Sequence, residues 1–139
     1  MKAISGQIEL SGTSYRISFL KGNTVTTHIM ASLPLTSEAH NIGGEIYFRA
    51  NGVDITYDGT QREEFEIGDV VYWRSPNDDQ KFAVALLYGS TQYSNWTSPK
   101  TSSPCVKIGS IMGNLEGLAS IPTGVLVRFF LYPTDRNDN

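Results

Sequence analysis

The chain is predicted to fold as a single mostly-β domain, a closed barrel of about eight strands with two short helices. Three observations lead there. A length of 139 residues suits one hydrophobic core and is too short for two ordinary ones. Only 18% of residues are charged, whereas Ser and Thr together number 26, so polarity is carried by hydroxyls in a composition that favours strands. Short apolar runs alternate with polar residues at period two, separated by Gly- and Asn-containing turns.

In chain order, Ile4, Gly6, Ile8 and Leu10 share one face against Ser5, Gln7 and Glu9. After a turn at Ser11-Gly12-Thr13, Tyr15, Ile17 and Phe19 alternate with Ser14, Arg16 and Ser18, so residues 2–20 read as an antiparallel hairpin. Asn23 is an N-cap for a helix carrying Val25, Ile29 and Leu33 on one face, and Pro34 ends it. Residues 35–44 read as a loop closing on Gly43-Gly44. Ile46, Phe48 and Ala50 then mark a strand that stops at Asn51-Gly52. Val53, Ile55 and Tyr57 predict another strand, Phe65 and Ile67 a short one, and Val70 to Trp73 the next.

The run Phe82 to Tyr88 is apolar on both faces, as expected of a central strand with packing on each side. Residues 89–104 read as a long polar loop, of the kind usually kept for function or mobility. Val106 to Ile111 is a strand, Leu115 to Ser120 a short helical turn, and Val125 to Tyr132 the last strand. The domain thus spans residues 1–133, and 134–139 form a charged tail. No internal repeat is present.

Composition also limits function. Net charge is −3 and the eleven Lys and Arg are scattered singly, which gives no electrostatic footprint for nucleic acid. No segment reaches the roughly 18–20 apolar residues of a membrane span, and the N-terminus lacks a signal pattern, so a cytoplasmic protein without membrane contact is expected. The single Cys105 excludes an internal disulfide and suits a reducing compartment. His28 and His40 have no second ligand at metal spacing, and no phosphate-cradling Gly-rich motif occurs, so neither metal nor cofactor is expected.

Two stretches carry a resemblance. Cys105-Val106-Lys107-Ile108-Gly109-Ser110-Ile111, followed by Gly113 and Leu118, resembles the late strand of cyclophilins before its small helix. The succession Leu33-Pro34, Gly44-Glu45-Ile46-Tyr47-Phe48, Gly68-Asp69-Val70-Val71-Tyr72-Trp73 and Leu87-Tyr88-Gly89 is similar to that of small bacterial and archaeal cyclophilin-like proteins. The likeness spans residues 2–131. It implies a cyclophilin-like barrel, in a group of proteins with no assigned activity; a shared fold does not by itself transfer a function.

The chemistry best known for this fold is prolyl isomerisation, in which an arginine stabilises a twisted amide and so lowers a rotation barrier of roughly 18–20 kcal/mol. By resemblance, Phe48-Arg49 stands in the early catalytic position, which makes Arg49 the catalytic candidate if the protein is an isomerase. Asp79-Gln80-Lys81-Phe82 loosely matches the central stretch. Tyr47 and Cys105, however, stand where cyclophilins keep histidines, and no Gln-Gly-Gly-Asp follows Arg49.

The reading preferred over an enzyme is a module that binds a small molecule or peptide in a cleft between the strand of Arg49 and the loop 89–104. Its candidate ligand-binding residues are Glu45, Tyr47, Arg49, Gln80, Phe82, Tyr93, Trp96 and Cys105. Glu45, Tyr47 and Arg49 share a strand face, where they line a groove or form an ordinary surface cluster. Tyr72, Trp73 and Tyr88 read first as core and second as pocket walls. Tyr93 and Trp96 sit in a polar loop, either as a contact patch or as a lid on the barrel end. Cys105, at the start of an apolar strand, reads as an inert thiol. Oligomeric state is not encoded in any feature of the chain.

Overall fold

A computed structural model describes residues 4–77, 79–91, 94 and 98–132. The expected hairpin forms as β1 (Ser5–Leu10) and β2 (Thr13–Phe19), in register from Ser5 opposite Ser18 to Leu10 opposite Thr13. Ser11 and Gly12 both adopt positive φ, as a two-residue turn matched to the strand twist requires. The helix α1 (Thr24–Ser32) starts where Asn23 accepts a hydrogen bond from the Thr26 amide at 3.1 Å. The other end of the Asn23 side chain donates to the Lys107 carbonyl, which ties the helix start to the late strand.

Beyond the helix come β3 (Leu35–Asn41), β4 (Glu45–Arg49), β5 (Arg62–Glu64), β6 (Asp69–Arg74), β7 (Phe82–Leu87), β8 (Lys100–Met112) and β9 (Leu126–Leu131). All belong to one antiparallel sheet in the order β2-β1-β9-β3-β4-β7-β6-β8-β5. Because β2 also pairs with β8, the strands other than β5 form a closed circuit of hydrogen-bonded neighbours. The closing pair is tight. A Cβ at Gly109 would lie 2.5 Å from the Ser18 carbonyl oxygen, so only glycine lets β8 come this close to β2.

Inward-facing residues of every strand of the circuit, with Val25 and Ile29 of α1, make the main core. Phe48 and Phe129 meet edge to face inside it, with centroids 6.0 Å apart, and both are fully buried. A second, smaller apolar cluster of Phe65, Val71, Ala85, Leu87 and Cys105 lies on the other face of the same strands. β7 is buried along its whole length because it separates the two, which is why its sequence is apolar on both faces.

The structure corrects the expected element list in five places. Nine strands are present among the described residues rather than about eight, and residues 35–41 are a strand rather than a loop. Only Ala39 of that strand is fully buried, so little apolar alternation marks it, while its backbone bonds to β4 and β9 on either side. Residues 53–57 do not form a strand. Val53 and Ile55 are buried as their alternation predicts, but the Tyr72 hydroxyl takes the strand partner's role, donating to the Val53 carbonyl at 2.6 Å and accepting from the Ile55 amide at 3.0 Å. The second helix is reduced to one 3-10 turn, Leu118–Ser120, which leaves α1 as the one α-helix among the described residues. The expected short strand near Phe65 is found slightly earlier, at Arg62–Glu64. The last part of the predicted loop 89–104 is already strand from Lys100. Among the described residues no helix is long and apolar enough to cross a membrane. The charged tail, 134–139, lies outside the described residues.

Candidate functional site

The outer face of β4, β7, β6 and β8 carries a depression with a volume of about 270 Å³. Strand register explains it. Arg49 of β4 lies opposite Ala83 of β7, Ala83 opposite Trp73 of β6, and Trp73 opposite Cys105 of β8, so the four stand in one row across the sheet. In the next row Tyr47 and Val71 flank Ala85. Strands lie about 4.8 Å apart, so side chains two strands apart stand roughly 9–10 Å from each other. Two alanines on the middle strand, with larger side chains on either side, therefore leave a trough along β7.

Tyr47 and Trp73 form the aromatic walls. Tyr47 stacks on His40 of the neighbouring strand, centroids 4.8 Å apart and planes 18° from parallel. The Trp73 indole donates to the Ser103 hydroxyl at 2.7 Å, which fixes the ring from the β8 side. Thr101 and Ser102 of β8 close the trough, and Ile42 borders it beside β4. Gly44 holds the end near Glu45. Its φ is +79°, a Cβ there would meet the Ser90 backbone, and its carbonyl accepts from the amides of Tyr88 and Gly89.

Glu45 and Arg49 bring charge to this lining from one face of β4. Both are half-buried, and neither side chain makes a hydrogen bond or ion pair among the described residues. Every other described arginine has a partner. Arg74 pairs with Asp54 at 2.9 Å and Arg128 with Glu9 at 3.3 Å, while Arg16 lies over the Tyr132 ring and Arg62 over that of Phe65. Burial raises the Glu45 carboxyl to about 7 with no compensating cation. Cys105 is 2% exposed and its thiol donates to the Ser103 carbonyl. Burial, assisted by the carboxylates of Glu45 and Glu63, pushes that thiol up to about 12. It stays protonated at neutral pH, and a protonated thiol is a poor nucleophile.

Of the residues singled out from the sequence, Glu45, Tyr47, Arg49 and Cys105 come together here. Gln80 and Phe82 do not line the trough. Gln80 is exposed in the β6–β7 connection with φ of 57°, and Phe82 points into the main core. Tyr93 and Trp96 lie outside the described residues. Tyr72 is core, as read first; Tyr88, half-buried, donates its hydroxyl to Asn41 at 2.7 Å. Trp73 is a wall of the trough rather than part of the main core. Ala83 and Ala85 were passed over in the sequence, although the contrast with Phe82, Val84 and Leu86 on the same strand marks a face with small side chains. Among the described residues no group of three or more His, Cys, Asp or Glu is placed to hold a metal ion.

Residues 6–129 match the family model described as cyclophilin-like. No curated protein sequence gives a significant match. Among solved structures, the solution structure of a hypothetical protein from Archaeoglobus fulgidus is similar over 92% of this chain and 94% of its own, with 25% identity and a TM-score of 0.74.

Proposed function

The chain belongs to the cyclophilin-like family, and from that premise we propose that its closed circuit of strands is a barrel serving as a scaffold for binding a small molecule in the outer trough of β4, β7, β6 and β8. One observation carries this reading: Arg49 and Glu45 are held half-buried without partners at the border of a cavity floored by alanine and walled by Tyr47 and Trp73. A few polar groups around an apolar, aromatic-walled concavity are the usual composition of a ligand site. Unpaired charges in such a place cost free energy unless a ligand answers them. At about 270 Å³ the trough is just under the roughly 300–1,000 Å³ of pockets for drug-sized ligands, which suits a metabolite better than a macromolecule. The buried lone thiol agrees with a reducing, cytoplasmic setting.

The test is a fragment and metabolite screen by two-dimensional amide NMR. Binding is expected to shift Tyr47, Ala83, Ala85 and Trp73 together, and Ala85→Leu to abolish those shifts. Hits that map elsewhere, or that persist in Ala85→Leu, would refute the reading.

Prolyl isomerisation is a second reading, favoured by one feature, the unpartnered Arg49 guanidinium. Against it, Phe82 of the loosely matching central stretch faces the core, and Cys105 is a buried, protonated thiol. A protease-coupled assay with proline peptides decides: acceleration that disappears in Arg49→Ala establishes isomerase activity, and no acceleration removes it.

A further inference from the structure

We propose that the trough selects a small zwitterion, its anionic group bound by Arg49, its ammonium group bound by Glu45, and an apolar or aromatic body lying over Ala83 and Ala85. This rests on the reading of the trough as a ligand site and adds the chemistry of the ligand.

The two charges share one face of β4, four residues apart, a backbone separation of about 13 Å at the strand rise. They do not pair with each other. A guanidinium and a carboxyl set apart in this way are complementary to a molecule with both signs at its two ends. With Glu45 ionised, an anion alone would leave its carboxylate unanswered, and a cation alone would leave Arg49 so. A zwitterion answers both and adds no net charge to a half-buried site. The planar fork of Arg49 suits a carboxylate, which can accept two parallel hydrogen bonds from it. Between the charged groups the floor is apolar, and Tyr47 and Trp73 stand on opposite sides of β7 to enclose a flat body.

The experiment uses a ladder of rigid aryl zwitterions as a ruler: 4-(aminomethyl)benzoate, 4-(aminomethyl)phenylacetate and 3-[4-(aminomethyl)phenyl]propanoate. Benzylamine and phenylacetate are the singly charged controls, and affinity is read from amide NMR titration of the whole chain. One member of the ladder is expected to bind about tenfold or more tightly than either control, the size of one charged hydrogen-bonded contact. Arg49→Gln should reduce that ligand to the affinity of benzylamine, and Glu45→Gln should reduce it to that of phenylacetate. If a control binds as well as every zwitterion, or if Glu45→Gln leaves the preference intact, zwitterion selection is overturned while the binding site stands. If no probe shifts the trough residues, both are overturned.

Discussion

Along β7, successive side chains enter two different environments. Phe82, Val84 and Leu86 point into the main core, where Phe48, Phe129, Tyr72 and their neighbours fill the space. Ala83 and Ala85 point the other way, where taller neighbours surround them and leave a cavity. On the inner face the Tyr72 hydroxyl, a buried polar group, bonds to both Val53 and Ile55. At the border of the outer cavity, Arg49 and Glu45 have no partners among the described residues. The unpartnered charged side chains thus lie on the outer side of β7. That is the pattern expected where a surface is kept for a ligand.

The largest difference between the faces should be seen by truncating the inner one. Phe129→Ala removes a ring packed against both Phe19 and Phe48, and should lower unfolding free energy by about 3–5 kcal/mol, read from urea midpoints. A loss below about 1 kcal/mol would mean that the interior relaxes around the void, and the contrast with the outer cavity would disappear.

The outer face makes the opposite prediction, that replacing one of its residues stabilises the fold. In the folded protein the Glu45 carboxyl is raised from 4.5 to about 7 by burial. The native state therefore holds a proton on Glu45 that the unfolded chain has released between those values, and stability falls as pH rises through this window. After discounting for the partial exposure of the side chain, the penalty above pH 7 is about 1–2 kcal/mol. Glu45→Gln should recover that amount in denaturation at pH 8 and give no gain at pH 4. An equal gain at both pH values would separate the effect from ionisation and remove the desolvated carboxylate from the description of the site.

Filling the cavity should matter less to the fold than to binding. Ala85 is buried in the outer apolar cluster but borders the cavity, so Ala85→Leu adds side-chain volume toward that cavity and its stability should stay within about 1.5 kcal/mol of the parent. Binding of any ligand in the trough should be lost. If the variant instead loses about 3 kcal/mol, Ala85 is as tightly packed as the inner face and the trough is not a free volume.

How legible these two faces were follows from what periodicity reports. Period-two alternation reports burial on one face, so β1, β2, β4 and β9 could be read from their apolar positions, and α1 from its cap and spacing. β3 could not, since backbone pairing on both sides holds it while only Ala39 enters the core. Residues 53–57 misled in the opposite sense: their side chains are buried as a strand's would be, but the backbone bonds to the Tyr72 side chain. In the trough, Glu45, Tyr47 and Arg49 can be placed together from the sequence because they lie on one strand, where spacing is enough. Trp73, Ala83 and Thr101 come from three other strands, and which rows they share depends on register, which no single strand encodes. Gln80 and Phe82 were brought in by family resemblance. A resemblance of short motifs fixes order along the chain and not the side of the sheet a residue faces.

The smallest expected effect is the most discriminating. Arg49→Gln removes a guanidinium that has no hydrogen bond or ion pair among the described residues, so unfolding free energy should change by no more than about 0.5 kcal/mol. Arg74, held by Asp54 at 2.9 Å but about 40% exposed, is the control. Arg74→Gln breaks a visible ion pair and should still cost under about 1 kcal/mol, as exposed pairs do. The two variants should thus be close in stability and differ in ligand affinity, which only Arg49→Gln should reduce. A destabilisation above about 1 kcal/mol in Arg49→Gln would show that the fold itself depends on this side chain. The absence of a partner would then no longer point to a ligand, and the outer face would be a second structural layer of the molecule.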